Sequence, residues 1–140
     1  ARAVELDCPK PGVGYALTEV VHCKSSNEVD GGVGQAWEFC LKRHGQAVLT
    51  LSGARVWVFV GDHAARAALR LFALSANQPV RGPLSLLGRD RIAVFMPHPN
   101  SRGGRKTFSG CLSGSELQAL RDFVKAGTVA TAEAGSIFGR

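Results

Sequence analysis

The sequence predicts an α/β fold, a three-layer α/β/α sandwich around a mostly parallel central sheet. Three observations predict it. Apolar β-branched runs alternate with helical stretches in the order strand–helix–strand–helix–strand–helix, the order of parallel strands joined by right-handed crossovers. The run 55–61, centred on Val56-Trp57-Val58-Phe59-Val60, is almost continuously apolar, as a parallel strand covered on both faces should be. The last apolar run, 91–96, empties into a loop that holds His98 between Pro97 and Pro99, outside a strand's carboxyl end, where α/β domains bind ligands.

Along the chain, Pro9, Pro11, Gly12 and Gly14 make the opening 1–14 irregular. Residues 15–22 read as a strand, short, mostly apolar and β-branched. The polar, glycine-containing stretch 24–34 is a loop, long for an α/β connection. Residues 35–51 have helical periodicity, with Trp37, Cys40, Leu41 and Val48 inward; Gly45 interrupts or ends the helix. After the strand 55–61, Asp62 suits a helix N-cap, and the alanine- and leucine-rich stretch 64–74 is strongly helical. Pro79, Gly82, Pro83 and Gly88 mark 78–89 as a second loop. After the strand 91–96, Ser113 and Glu116 form a capping-box pattern opening a helix to about Lys125, which Gly127 ends. Residues 128–140 read as a frayed tail. Three strands make a thin sheet, and a missing first strand would account for that and for a chain that begins at Ala1 rather than Met.

The 140 residues suffice for one domain with a core, and 45% hydrophobic with 20% charged residues is ordinary for a globular protein. The formal charge of +6 is compatible with nucleic acid without requiring it. No apolar run approaches the ~18–20 residues of a membrane helix, and the amino terminus lacks the design of a signal peptide. Cys8, Cys23, Cys40 and Cys111 contain no Cys-x-x-Cys pair and are too sparse for a disulfide scaffold, so reduced thiols in a cytoplasmic setting are expected. No obligate protein partner is evident.

The loop after 91–96 carries the chemistry. His98 offers a hydrogen-bond donor, and Ser101, Arg102, Arg105 and Lys106, with glycines between them, can approach and neutralise phosphates. The alternative is a rigid surface turn followed by a solvated basic loop. DNA is the leading partner on this pattern. His22, His44 and His63 lack metal-ligand spacing, Trp37 and Trp57 lie in apolar-periodic segments and belong to the core, and no phosphate-binding glycine motif is present.

Three stretches in order resemble the uracil-DNA glycosylase superfamily. Leu17 to Ser25 resembles its second strand and following loop, Ser52 to Gly61 its central strand, and Met96-Pro97-His98-Pro99-Asn100 the His-Pro motif ending its last strand. The resemblance spans roughly 15–125. It implies a sandwich of that kind and a glycosylase that hydrolyses the N-glycosidic bond of a flipped base such as uracil, with His98 donating to the departing base. It makes Glu19 and Asn100 base-binding candidates. Glu19 stands where many members have an Asn, and a carboxylate, which only accepts, would suit a base edge offering donors. Lys24 and Ser25, with Ser101, Arg102, Arg105 and Lys106, would contact DNA. The family's iron–sulfur branch has a Val-Val-Lys-Cys segment and a later Cys, echoed by Cys23 and Cys40. The close cysteine pair of that branch is absent, so the resemblance implies no cluster in this chain and one only in a longer protein. The family's water-positioning motif would precede everything seen here. Other readings are a non-catalytic nucleic-acid-binding member of the fold and a generic α/β domain that binds a small anion.

Overall fold

The structure, a computed structural model, describes residues 15–20, 32–102 and 107–136. They form a mixed α/β fold. A helical segment opens it: α1 (Gly32–Cys40), a π-helical turn (Leu41–Gly45) and α2 (Gln46–Leu51). Strand β1 (Val56–Val60) runs directly into α3 (Gly61–Phe72). The hairpin β2 (Val80–Leu86) and β3 (Arg89–Met96) follows, then α4 (Phe108–Cys111) and α5 (Gly114–Ser136). The sheet order is β1-β3-β2, with β1 parallel to β3 and β2 antiparallel to it.

Period-two alternation sorts the sheet's side chains between two cores. One face presents Trp57, Phe59, Ala93 and Phe95 to Ala68 and Leu74, with Leu49, Ala64 and Phe72 packed around them. Trp57 lies 5.2 Å from Phe72 and Phe59 stacks on Phe95 at 5.4 Å, centroid to centroid. The opposite face presents Ile92 and Val94 to Leu112 and Leu120, with Val80, Phe108, Leu117 and Phe123 alongside. Helices thus cover both faces of the central strand β3. Helix α3 ends because Ala73 turns left-handed (φ 54), its N–H bonding the Leu69 carbonyl while the Leu74 N–H reaches that of Ala68, a paired closure of the last turn. At the start of α5 the Ser113 N–H donates to Glu116 Oε2 at 2.7 Å and the Glu116 N–H to Ser113 Oγ at 3.3 Å, the capping box its sequence predicts.

Several expectations are corrected. In the described part of 15–22 only Tyr15 makes an isolated bridge and no strand forms. Leu17 there is 90% exposed and only Val20 is half-buried, so the apolar pattern finds little cover among the described residues. The predicted loop 78–89 contains strand β2. Gly82 and Pro83 read as breakers, but they sit at a register shift between Arg81 and Leu84 on an edge strand, where a missing N–H and a glycine at φ +120 are tolerated. A two-residue turn of Leu87 and Gly88, both at positive φ, closes the hairpin as tight β-turns require. One of the two strand pairings is therefore antiparallel, and the sheet is mixed rather than mostly parallel. Among the described residues β1 is an edge strand, not the central one, and its second face is covered only at Val56, which packs on the Ile92 and Val94 core, while Val58 and Val60 are exposed. The first helix begins at Gly32, inside the predicted loop, and passes through Gly45 by way of the π-turn. Helix α5 continues beyond Gly127 to Ser136, and Asp62 falls in the first turn of α3 rather than at its N-cap, which is Val60.

Arg91 ties the helical segment to the sheet. It is fully buried on β3, its Nη1 donating to the Leu49 carbonyl at 3.2 Å and its Nη2 to that of Ser52 at 3.1 Å. These are acceptors that the end of α2 would otherwise leave unsatisfied. The guanidinium lies 4.2 Å from the Trp57 ring centroid. Burial, and secondarily repulsion from Arg89, pulls its pKa below the usual arginine value.

Candidate functional site

The parallel pair β1 and β3 brings two chain segments to one end of the sheet. At the carboxyl end of β1 the chain enters α3 with no intervening loop, which Gly61 permits by adopting φ +80. At the carboxyl end of β3, Pro97 directs the chain into a turn in which the Ser101 N–H bonds the His98 carbonyl at 2.9 Å. Pro99 occupies the second position of that turn, where its fixed φ is favourable.

The two segments touch through Gly61 and His98. A methyl group added at Gly61 would stand 3.1 Å from His98 Cβ and 3.3 Å from Cδ2. The imidazole therefore rests on bare backbone at the head of α3. Its orientation is set a second time by the Asn100 N–H, which donates to His98 Nδ1 at 3.1 Å. With Nδ1 accepting, the neutral ring carries its proton on Nε2. The residue is exposed, so this N–H is a donor held from behind. Helix α3 starts beside it with no side-chain cap; the free N–H groups of that first turn add partial positive charge, which the exposed Asp62 carboxylate in the same turn offsets. Next in α3, His63 Nδ1 takes a hydrogen bond from Arg66 Nη2 at 3.1 Å.

The structure brings His98, Asn100, Ser101 and Arg102 together on one turn. Asn100 is exposed, and its backbone rather than its side chain makes the observed contact. Ser101 Oγ is buried and unpartnered, so as placed it does not face solvent as a phosphate contact would; Arg102 is exposed. Glu19 is exposed on the separate stretch 15–20, and no hydrogen bond or ion pair joins it to His98 among the described residues. Lys24, Ser25, Arg105 and Lys106 lie outside the described residues, as does Cys23. Cys40 is fully buried and Cys111 partly so on the α5 side of the sheet, neither in a disulfide. The described residues bring together no group of three or more His, Cys, Asp or Glu side chains able to hold a metal ion. Of the two cluster ligands that the resemblance suggests, Cys40 is among the described residues and Cys23 is not, short of the four thiolates a cluster needs. Sequence reading missed Gly61 as the platform for His98. The signal is present as a glycine at an abrupt strand-to-helix junction, but its partner lies 37 residues on.

No helix among the described residues is long and apolar enough to cross a membrane. No protein-family model, curated protein or solved structure matches the chain.

Proposed function

We propose that the chain supplies the base-stabilising half of a DNA base-excision glycosylase, acting in a cytoplasmic setting on a damaged base flipped from the duplex. The observation that carries this reading is the hydrogen bond from the Asn100 N–H to His98 Nδ1. It leaves Nε2–H as a fixed donor at the carboxyl ends of the parallel strands. In hydrolysis of the N-glycosidic bond the electron pair of that bond departs with the base, and water adds to the sugar carbon. A donor aimed at the carbonyl oxygen of the leaving base stabilises the negative charge that develops there. Glu19 and Asn100 are the proposed readers of the base edge. Lys24, Ser25, Ser101, Arg102, Arg105 and Lys106 are the proposed contacts to the DNA backbone, with Ser101 requiring rotation of the turn to expose its hydroxyl. The sandwich architecture of the uracil-DNA glycosylases belongs to this proposal, supported by helices on both faces of β3.

One observation favours a second reading. His98 is exposed beside the uncapped first turn of α3, and such a pair of donors equally suits a phosphate or carboxylate held without catalysis. Excision assays on single-lesion oligonucleotides, run with this chain and the longest natural form of it, separate the two. The expected outcome is release of one damaged base, with His98→Ala slower by about tenfold to a hundredfold, the usual loss for one charge-stabilising donor. An unchanged rate removes His98 from the mechanism. Joint replacement of Arg102, Arg105 and Lys106 by Ala should weaken DNA binding and flatten its salt dependence. Binding with no excision from any lesion supports the second reading.

A further inference from the structure

We propose that the cleft between the first helical segment and α3 is a binding site for a small aromatic carboxylate, separate from the His98 turn and independent of its function. The cleft is a shallow, half-open hollow of about 230 Å³, lined by Trp37, Glu38, Leu41, Lys42, Arg70 and Leu71. That is below the ~300–1,000 Å³ of sites for drug-sized ligands and fits a molecule of one or two fused rings. Its walls are an indole and two leucines, which suit an apolar, flat body.

The charges at its rim are unequal. Arg70 Nη2 meets Glu38 Oε1 at 3.3 Å, an exposed pair spanning the two helices. Lys42 makes no ion pair among the described residues. Two cations and one carboxylate leave a single uncompensated positive charge over an apolar hollow. An apolar ring bearing one carboxylate complements both features: it buries the ring against Trp37, Leu41 and Leu71 and keeps its charge at the wet rim beside Lys42.

The helix itself is modified at this place. The π-turn Leu41–Gly45 is the irregularity in the segment from Gly32 to Leu51, and its first two residues line the cleft. Such turns recur at functional sites, because widening one turn re-aims side chains that a regular helix would stack. Gly45 at its end is where Leu41 and Leu71 converge: a methyl group there would stand 2.9 Å from Leu41 Cδ1 and 3.4 Å from Leu71 Cδ1. Absence of a side chain at Gly45 lets both leucines lie back against the backbone and keeps the cleft open.

The test is titration of the folded chain with 1-naphthoate, followed by calorimetry and by the two indole N–H signals in NMR, assigned with Trp37→Phe. The expected result is saturable one-to-one binding that moves the Trp37 signal and leaves Trp57, buried in the sheet core, unmoved. The neutral 1-naphthamide and the exposed substitution Lys42→Gln should each weaken binding by about fivefold, the scale of one solvent-exposed charge contact. Gly45→Ala should weaken it further by driving Leu41 into the cleft. Absence of saturation into the millimolar range, shifts confined to Trp57, or amide and carboxylate bound equally would overturn the proposal. Because Lys42 is exposed, its variant remains informative if Gly45→Ala does not fold.

Discussion

At the scale of single residues, two positions carry more than their sequence neighbours suggest. Gly61 combines a positive-φ backbone with a close approach of His98. Gly61→Ala should therefore cost about 1–2 kcal/mol from the backbone alone and also displace the imidazole. Thermal denaturation and the His98 ring signals in NMR would check the two effects separately. Arg91 is a buried cation held by two carbonyls on its Nη groups and by an aromatic face rather than by a carboxylate, and its buried Nε has no hydrogen-bond partner. Arg91→Leu should destabilise by about 2 kcal/mol or more, because two acceptors at the end of α2 lose their donor. Arg91→Lys should recover little of this, since an ammonium cannot reproduce the planar fork; chemical denaturation of the pair decides it. His98 was legible in the sequence because a histidine between two prolines after an apolar run is a local pattern. Gly61 as its support was not, since nothing local says which loop will lie over which turn.

At the scale of elements, α5 gives a test in which propensity and packing predict opposite signs. Gly127 lies within the helix, where alanine would ordinarily be better by about 1 kcal/mol. But the Arg55 guanidinium occupies the space beside it: Arg55 Nη1 donates to the Phe123 carbonyl at 2.9 Å and its charge sits 4.1 Å from the Phe123 ring centroid. Gly127→Ala should then destabilise the protein and not stabilise it, as a shift of the thermal midpoint would show. The same contact explains why sequence reading ended the helix at Gly127. A glycine there looks like a stop, but it makes room for Arg55, the residue just before β1. The hairpin β2–β3 was hidden by the same ambiguity. Pro83 and Gly82 break most strands, but an edge strand at a register shift accepts both. The capping box of α5, by contrast, is a purely local motif, legible from Ser113 and Glu116 alone.

At the scale of the whole molecule, the sheet's two edges are unlike. The β2 edge carries Arg81, Pro83 and a register shift, features that discourage pairing with another chain. The β1 edge carries none of them, and Val58 and Val60 are exposed beside it. Val58→Lys should reduce concentration-dependent self-association, measured by sedimentation, with little change in stability because the side chain is already 41% exposed. The sequence by itself determined the alternation of apolar runs and helices, the basic balance, the strand at β1, most of β3 and the loop that presents His98. These depend on periodicity, charge and proline, which act over a few residues. Only the tertiary structure decided that β2 is a strand, that β1 lies at an edge of the described sheet, that 15–20 forms no strand beyond the bridge at Tyr15, and that an exposed His98 rests on Gly61. Each of those depends on which distant segment arrives to complete a ladder or cover a face, and that is settled by the competition among all segments for the same buried area.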